Sequence, residues 1–194
     1  VTEYRAQGRG GRGTRAMDTR DEDFVNQIFV ATNHSFIIVL SDKGKAYLKK
    51  VYEIPPASRT SRGRAIVNFV GMEPGEKVAA IVSVKEFTEG AFMLTCTKLG
   101  TIKKTSLDAY SSIRQTGIIG VLIDEGDALL AARIVSESAH VVIGTARGMS
   151  IRFEATDVRA TGRVSAGVRG IDLRDGDQVI GMDVVEDEAT QQVL

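Results

Sequence analysis

Short apolar runs, each closed by a glycine or acidic turn, follow one another along the chain in a repeating order. The run Phe36-Ile37-Ile38-Val39-Leu40 precedes Gly44 and the basic stretch Lys45-Ala46-Tyr47-Leu48-Lys49. Phe92-Met93-Leu94 precedes Gly100 and Thr101-Ile102-Lys103-Lys104, and Val141-Val142-Ile143 precedes Gly148 and Met149-Ser150-Ile151-Arg152. A basic, glycine-containing loop follows each time: Arg59–Arg64, Arg114–Gly117 and Arg159–Arg163. An acidic turn then leads into a longer apolar strand, Val78 to Val84, Leu129 to Val135 and Val179 to Val185. The turn glycines Gly75, Gly126 and Gly176 lie 51 and 50 residues apart. Each unit holds about four short runs enriched in Val and Ile and bounded by Gly, Asp and Asn, which predicts strands. No stretch carries a helical period of convincing length. Units of about fifty residues with four strands predict propeller blades, and hence an all-β, propeller-like fold of four-stranded antiparallel blades.

The predicted organisation is one domain over 1–194. Residues 1–23 form an N-terminal segment. The first blade occupies 24–85, its repeat proper starting at 35, and blades two and three occupy 91–136 and 139–186; 187–194 begin a further repeat. Phe24 to Thr32 reads as the closing strand of a unit. Three blades are too few for an ordinary closed propeller. The chain is therefore expected to be a piece of a longer one, as its opening Val1 suggests, or an open stack with a free edge.

Composition adds a soluble, globular balance, with 43% hydrophobic and 26% charged residues. The longest apolar run is far too short to cross a bilayer. The polar opening Val1-Thr2-Glu3-Tyr4-Arg5 predicts no signal sequence, and the single Cys96 excludes an internal disulfide; both fit the cytoplasm. Cys96 sits in the run Phe92–Cys96 and is expected to pack in a strand.

The net charge is zero, but its distribution is not uniform. Residues 1–20, 43–64, 98–114 and 147–169 together carry +15, and the segments between and after them carry −15. Basic blocks gathered on one surface would form a phosphate-binding stripe; the same blocks could equally be ordinary solvated loops. Catalytic and metal chemistry find little support. The tyrosines Tyr4, Tyr47, Tyr52 and Tyr110 read as packing or rim residues, and His34 and His140 merely open apolar runs. The acidic pairs Asp124-Glu125 and Asp175/Asp177 lie in turns, where such residues serve turn chemistry. No nucleophile, base and orienter set stands out, and no cluster has metal-ligand spacing.

The sharpest local motif is Gln7-Gly8-Arg9-Gly10-Gly11-Arg12-Gly13. Its glycines let a backbone approach a partner closely, and its arginines can grip phosphate bidentately. By composition alone it could also be a Gly-Arg tail with general affinity for polyanions. No Lys-Ser/Thr follows the glycines, so it is not a nucleotide-binding loop.

This segment resembles the gyrase box, Gln-Arg-Arg-Gly-Gly-Lys-Gly, of the C-terminal domain of DNA gyrase A subunits. Gln7, Arg9, Gly10, Gly11 and Gly13 match; Arg12 stands for Lys, and Gly8 departs where the family usually has Arg, removing one basic contact. Glu3–Ala6, Glu22–Phe24, Lys50–Pro55, Arg62–Asn68, Gly100–Thr105 and Gly167–Ile171 also resemble the family, so the likeness spans the whole chain. It implies a β-pinwheel, a propeller-like disc in which blades exchange strands, usually with six blades. It implies that duplex DNA wraps the basic rim of the disc, which fixes the handedness of the crossing and lets gyrase introduce negative supercoils. Partners would be duplex DNA, gyrase B subunits and the rest of the gyrase A subunit, joined in an A2B2 holoenzyme, with no membrane. No cofactor is expected in this chain, ATP and Mg being bound by other domains.

The expected DNA contacts are the recurring basic positions. They are Arg9 and Arg12 in the box, and Lys45, Lys49, Lys103, Lys104 and Arg152 on the basic strands. In the loops they are Arg59, Arg62, Arg64, Arg114, Arg159 and Arg163. Phosphate contacts of this kind position DNA without reading bases. The alternatives are the related topoisomerase IV domain, which lacks a proper box, a protein-binding propeller with a neutral face, and a propeller enzyme.

Overall fold

A computed structural model describes residues 10–11, 29–57 and 63–186. Eleven strands form among them: β1 Phe36–Ser41, β2 Lys45–Lys50, β3 Val78–Val84, β4 Phe92–Thr97, β5 Thr101–Ser106, β6 Ile118–Ile119, β7 Leu129–Val135, β8 His140–Thr145, β9 Ser150–Glu154, β10 Val168–Arg169 and β11 Val179–Val185. The longest helix, α1 at Ile66–Val70, has five residues; the others are short 3-10 turns. The all-β architecture follows the sequence pattern closely, and the long closing strands β3, β7 and β11 fall where the third apolar run of each repeat predicts them. Of the stretch read as a closing strand, Phe24 to Thr32, only 29–32 are described, and these are not in a strand. The start of a further repeat lies outside the described residues.

The strands form three antiparallel sheets, in the orders β3-β1-β2-β6, β10-β5-β4-β7 and β11-β8-β9. Each hairpin and its long strand come from one repeat, but the fourth strand does not. β6, from the second repeat, pairs with β2 through Lys45↔Ile119 and Ala46↔Ile118. β10, from the third repeat, pairs with β5 through Val168↔Ile102 and Arg169↔Thr101. Neighbouring blades meet through β3, β7 and β11, which converge on the axis and leave β6 and β10 outermost.

Glycine permits the exchange. A Cβ on Gly120 would sit 2.8 Å from the Ala46 Cβ, and one on Gly170 2.5 Å from the Ile102 Cγ2. Only a bare backbone can lie so close to the neighbouring hairpin, where the Gly120 and Gly170 amides donate to the carbonyls of Gly44 and Gly100 at 2.9 and 2.8 Å. The first repeat has Ile66 and Phe69 where the later ones have Gly117/Gly167 and Gly120/Gly170. Its segment does not cross to another blade. It coils as α1, ended by Gly71 at φ +74°, and packs Val70, Ile66 and Phe69 against Ile37, Val39 and Tyr47 of its own sheet.

Two cores lie between blades, and a third lies under α1 within the first. Ile38, Leu40, Val82, Met93, Leu107 and Val121 fill the first junction, and Leu94, Cys96, Ile102, Val141, Ile143 and Ile171 fill the second. Cys96 is fully buried, which pushes its thiol up to about 12. Covered on both faces, β1 and β4 are buried almost without interruption, whereas β8, covered on one, alternates.

Candidate nucleic-acid interface

The basic loops after β5 and β9, the third strands from the axis, run into the outermost strands β6 and β10; of the first basic loop only 63 and 64 are described, just before α1. Arg64 is exposed just before α1, Arg114 in the loop after β5, and Arg159 in the loop after β9, while Arg152 is exposed on β9 itself.

Lys45, Lys49 and Arg163 are engaged by their neighbours. The Lys45 ammonium pairs with Glu73. Lys49 lies 3.8 Å from Glu53 and 5.6 Å above the Phe69 ring. Arg163 is half-buried and donates from Nη1 to the Ile119 carbonyl at 2.8 Å. Arg9, Arg12, Arg59 and Arg62 lie outside the described residues, as does the box except for Gly10 and Gly11, both exposed, with Gly10 at φ +84°.

Lys103 and Lys104 depart from the expectation. They are only 3% and 4% exposed. Lys104 Nζ donates to the Ala155 carbonyl at 2.6 Å and lies 4.9 Å from the centre of the Phe92 ring; Lys103 Nζ donates to the Arg163 carbonyl. Burial, and then the nearby Arg163 charge, lower the Lys103 ammonium to about 8. Both lysines are directed at the third repeat, not at solvent, because β5 is sandwiched between blades and has no free face.

Arg169, on the outermost strand β10, was missed by the sequence reading. Its side chain is 75% exposed and meets Asp172 at 3.2 Å. The signal was its place inside Gly167-Val168-Arg169-Gly170, the strand that crosses outward. The last acids of the turns before β3, β7 and β11 tie those turns to the neighbouring hairpins. Asp127 and Asp177 accept the Leu99 and Arg147 amides, each at 3.0 Å. Glu76, though buried, accepts from Ser41 Oγ at 2.9 Å, the Glu73 amide at 2.8 Å and the Tyr47 hydroxyl at 2.5 Å. Burial opposes its charge, but these bonds and Lys45 hold the carboxyl below its usual range, while burial and Glu76 push Tyr47 up to about 12. Among the described residues no group of His, Cys, Asp and Glu could hold a metal, and no helix is long and apolar enough to cross a membrane.

These features define a strand-exchanging β-propeller with cations repeated along its periphery. The chain belongs to the family described as DNA gyrase C-terminal domain, beta-propeller, whose model matches residues 1–32, 35–85, 91–136 and 139–186. It is 40% identical over 195 aligned positions to the DNA gyrase A subunit of Staphylococcus epidermidis, a match covering all of this chain and 22% of that protein. The chain thus spans about a fifth of that relative's length. A solved gyrase A C-terminal domain superposes with a TM-score of 0.76 at 27% identity, covering 95% of this chain and 59% of the other. The C-terminal domain of a DNA topoisomerase IV gives 0.78 at 20% identity, covering 90% and 54%, a likeness of fold alone.

Proposed function

We propose that this chain binds duplex DNA along its outer rim, largely without sequence specificity, and bends it around the blades. Within a DNA gyrase holoenzyme in the cytoplasm, that wrap would fix the handedness of the DNA crossing and so direct negative supercoiling. The observation that carries the reading is the recurrence of exposed arginines in the basic loops of successive blades, Arg64, Arg114 and Arg159, with Arg169 on the outermost strand β10. Cations spaced along a curved rim suit a bent polyanion and do not read base edges. The box arginines Arg9 and Arg12 would hold the last stretch of wrapped DNA. ATP, Mg and the cleaving tyrosine would belong to other parts of the holoenzyme, formed with B subunits and with the remainder of the A subunit.

The test is duplex affinity between about 50 and 200 mM salt. Release of several condensed counterions makes binding fall steeply over this range, by about 10³ for six contacts. Long duplex should bind better than a duplex too short to bend around the rim. A flat salt response, or equal affinity for both lengths, favours a protein-binding propeller. In the holoenzyme, replacing Gln7–Gly13 by Ala should abolish negative supercoiling and spare relaxation; supercoiling at the normal rate would reduce the segment to a linker.

A further inference from the structure

The loop from Ala155 to Gly167 joins β9 to β10 and carries the exposed Arg159 and the half-buried Arg163. It is tied down along its length by the strand next door. The Ala155 carbonyl accepts the Lys104 ammonium at 2.6 Å, the Thr161 amide donates to the Lys104 carbonyl at 2.8 Å, and the Arg163 carbonyl accepts the Lys103 ammonium. Arg163 in turn reaches the Ile119 carbonyl of β6, which belongs to the first sheet. One residue of the third repeat is thereby joined to two other blades.

We propose that Lys103 is a positioning residue for DNA: from inside the second blade it sets the backbone at Arg163, and so aims Arg159 and Arg163 at the wrapped duplex without touching it. This rests on the rim reading above. The first blade has no such device, because Tyr47 stands at the equivalent position and turns its hydroxyl to Glu76 of its own repeat. Ile151 stands there in the third. Stability does not account for the ammonium. Burial and the Arg163 charge disfavour it, and an apolar side chain of similar length would fill the space without that cost. What a methionine could not do is hold a carbonyl, and with it a loop, in one place.

The experiment is a mutant cycle on the whole subunit carrying this chain, with Lys103→Met, the pair Arg159→Ala and Arg163→Ala, and all three together. The readouts are long-duplex affinity and peptide-resolved hydrogen exchange. Lys103→Met is expected to weaken binding by about tenfold alone and by less than about twofold once Arg159 and Arg163 are both Ala, since a residue acting through others couples to them. Its melting temperature should hold or rise, while exchange quickens across 158–166 and not across 92–97. Equal losses in both backgrounds would make Lys103 a direct phosphate contact and overturn the proposal. So would quickened exchange with unchanged affinity. Should Lys103→Met melt early, Lys103→Gln replaces it in the cycle with the same coupling expected. A wild-type subunit without salt-dependent affinity would sink the rim reading, and this proposal with it, before any substitution is made.

Discussion

Gly44 and Gly148 occupy the same turn of the same hairpin, one in the first blade and one in the third, and both have positive φ, +82° and +76°. A Cβ on Gly44 would lie 2.2 Å from the Val121 carbonyl oxygen, because the segment following β6 crosses directly over it. A Cβ on Gly148 meets nothing within 4 Å. Among the described residues the turn is thus a docking surface in one blade and uncovered in the other. What makes the difference is a strand contributed by the next repeat, so neighbours in sequence finish one another's sheets. At the other end, α1 shows what a repeat does with that segment when it stays at home: lacking the glycine pair, it coils and covers its own blade, like the cap of a repeat array.

The largest test of this contrast is the pair Gly44→Ala and Gly148→Ala. Left-handed strain of about 1–2 kcal/mol applies to both. Only the first adds the clash with Val121, of about 1–3 kcal/mol. Denaturant unfolding should therefore separate them by at least about 1 kcal/mol. Equal losses would mean that the crossing strand adds nothing at Gly44.

The cap supplies a second test. Val70 is almost fully buried against the first sheet, so Val70→Ala is expected to cost about 2 kcal/mol. Hydrogen exchange should quicken in β1 and β2 and leave β8 and β9 as they were. Quickening spread evenly over all three blades would contradict a local cap.

The smallest effect concerns Glu76, the buried acid of the first blade. Its carboxyl is held below the usual range when folded, so the stability it contributes is present above about 4.3, the ordinary glutamate value, and is lost as pH falls through the folded value. Glu76→Gln should be less stable than wild type at pH 7, and the two should converge as acid protonates the wild-type group. A gap unchanged between pH 7 and pH 3 would count against the carboxylate.

Repetition made most of this fold legible. Val78–Val84, Leu129–Val135 and Val179–Val185 announced the inner strands because apolar run and acidic turn recur at one spacing. The exchange was implied by family resemblance, not by pattern, since nothing local in Gly117-Ile118-Ile119-Gly120 says which sheet it will join. The five residues of α1 are too few to show a helical period. Lys103 and Lys104 misled for a related reason. Adjacent residues on a strand point to opposite faces, so at least one should reach solvent, unless both faces are covered, as they are in β5. Arg64, Arg114 and Arg159 were legible as exposed cations because they lie in loops.

Strand exchange also sets an order of events during synthesis. The ribosome releases β1 and β2 long before Ile118 and Ile119, which complete their sheet. At about 5–20 residues per second, the chain from Lys50 to Ile118 takes roughly 3–14 s to appear. Throughout that interval the outer edge of β2 is an unpaired strand, open to any passing partner on a neighbouring nascent chain. α1, emerging soon after β2, closes the face of the first blade but not its edge. The half-made domain is therefore open to mispairing at β2 while its second repeat is being translated, and again at β5 until Val168 and Arg169 emerge.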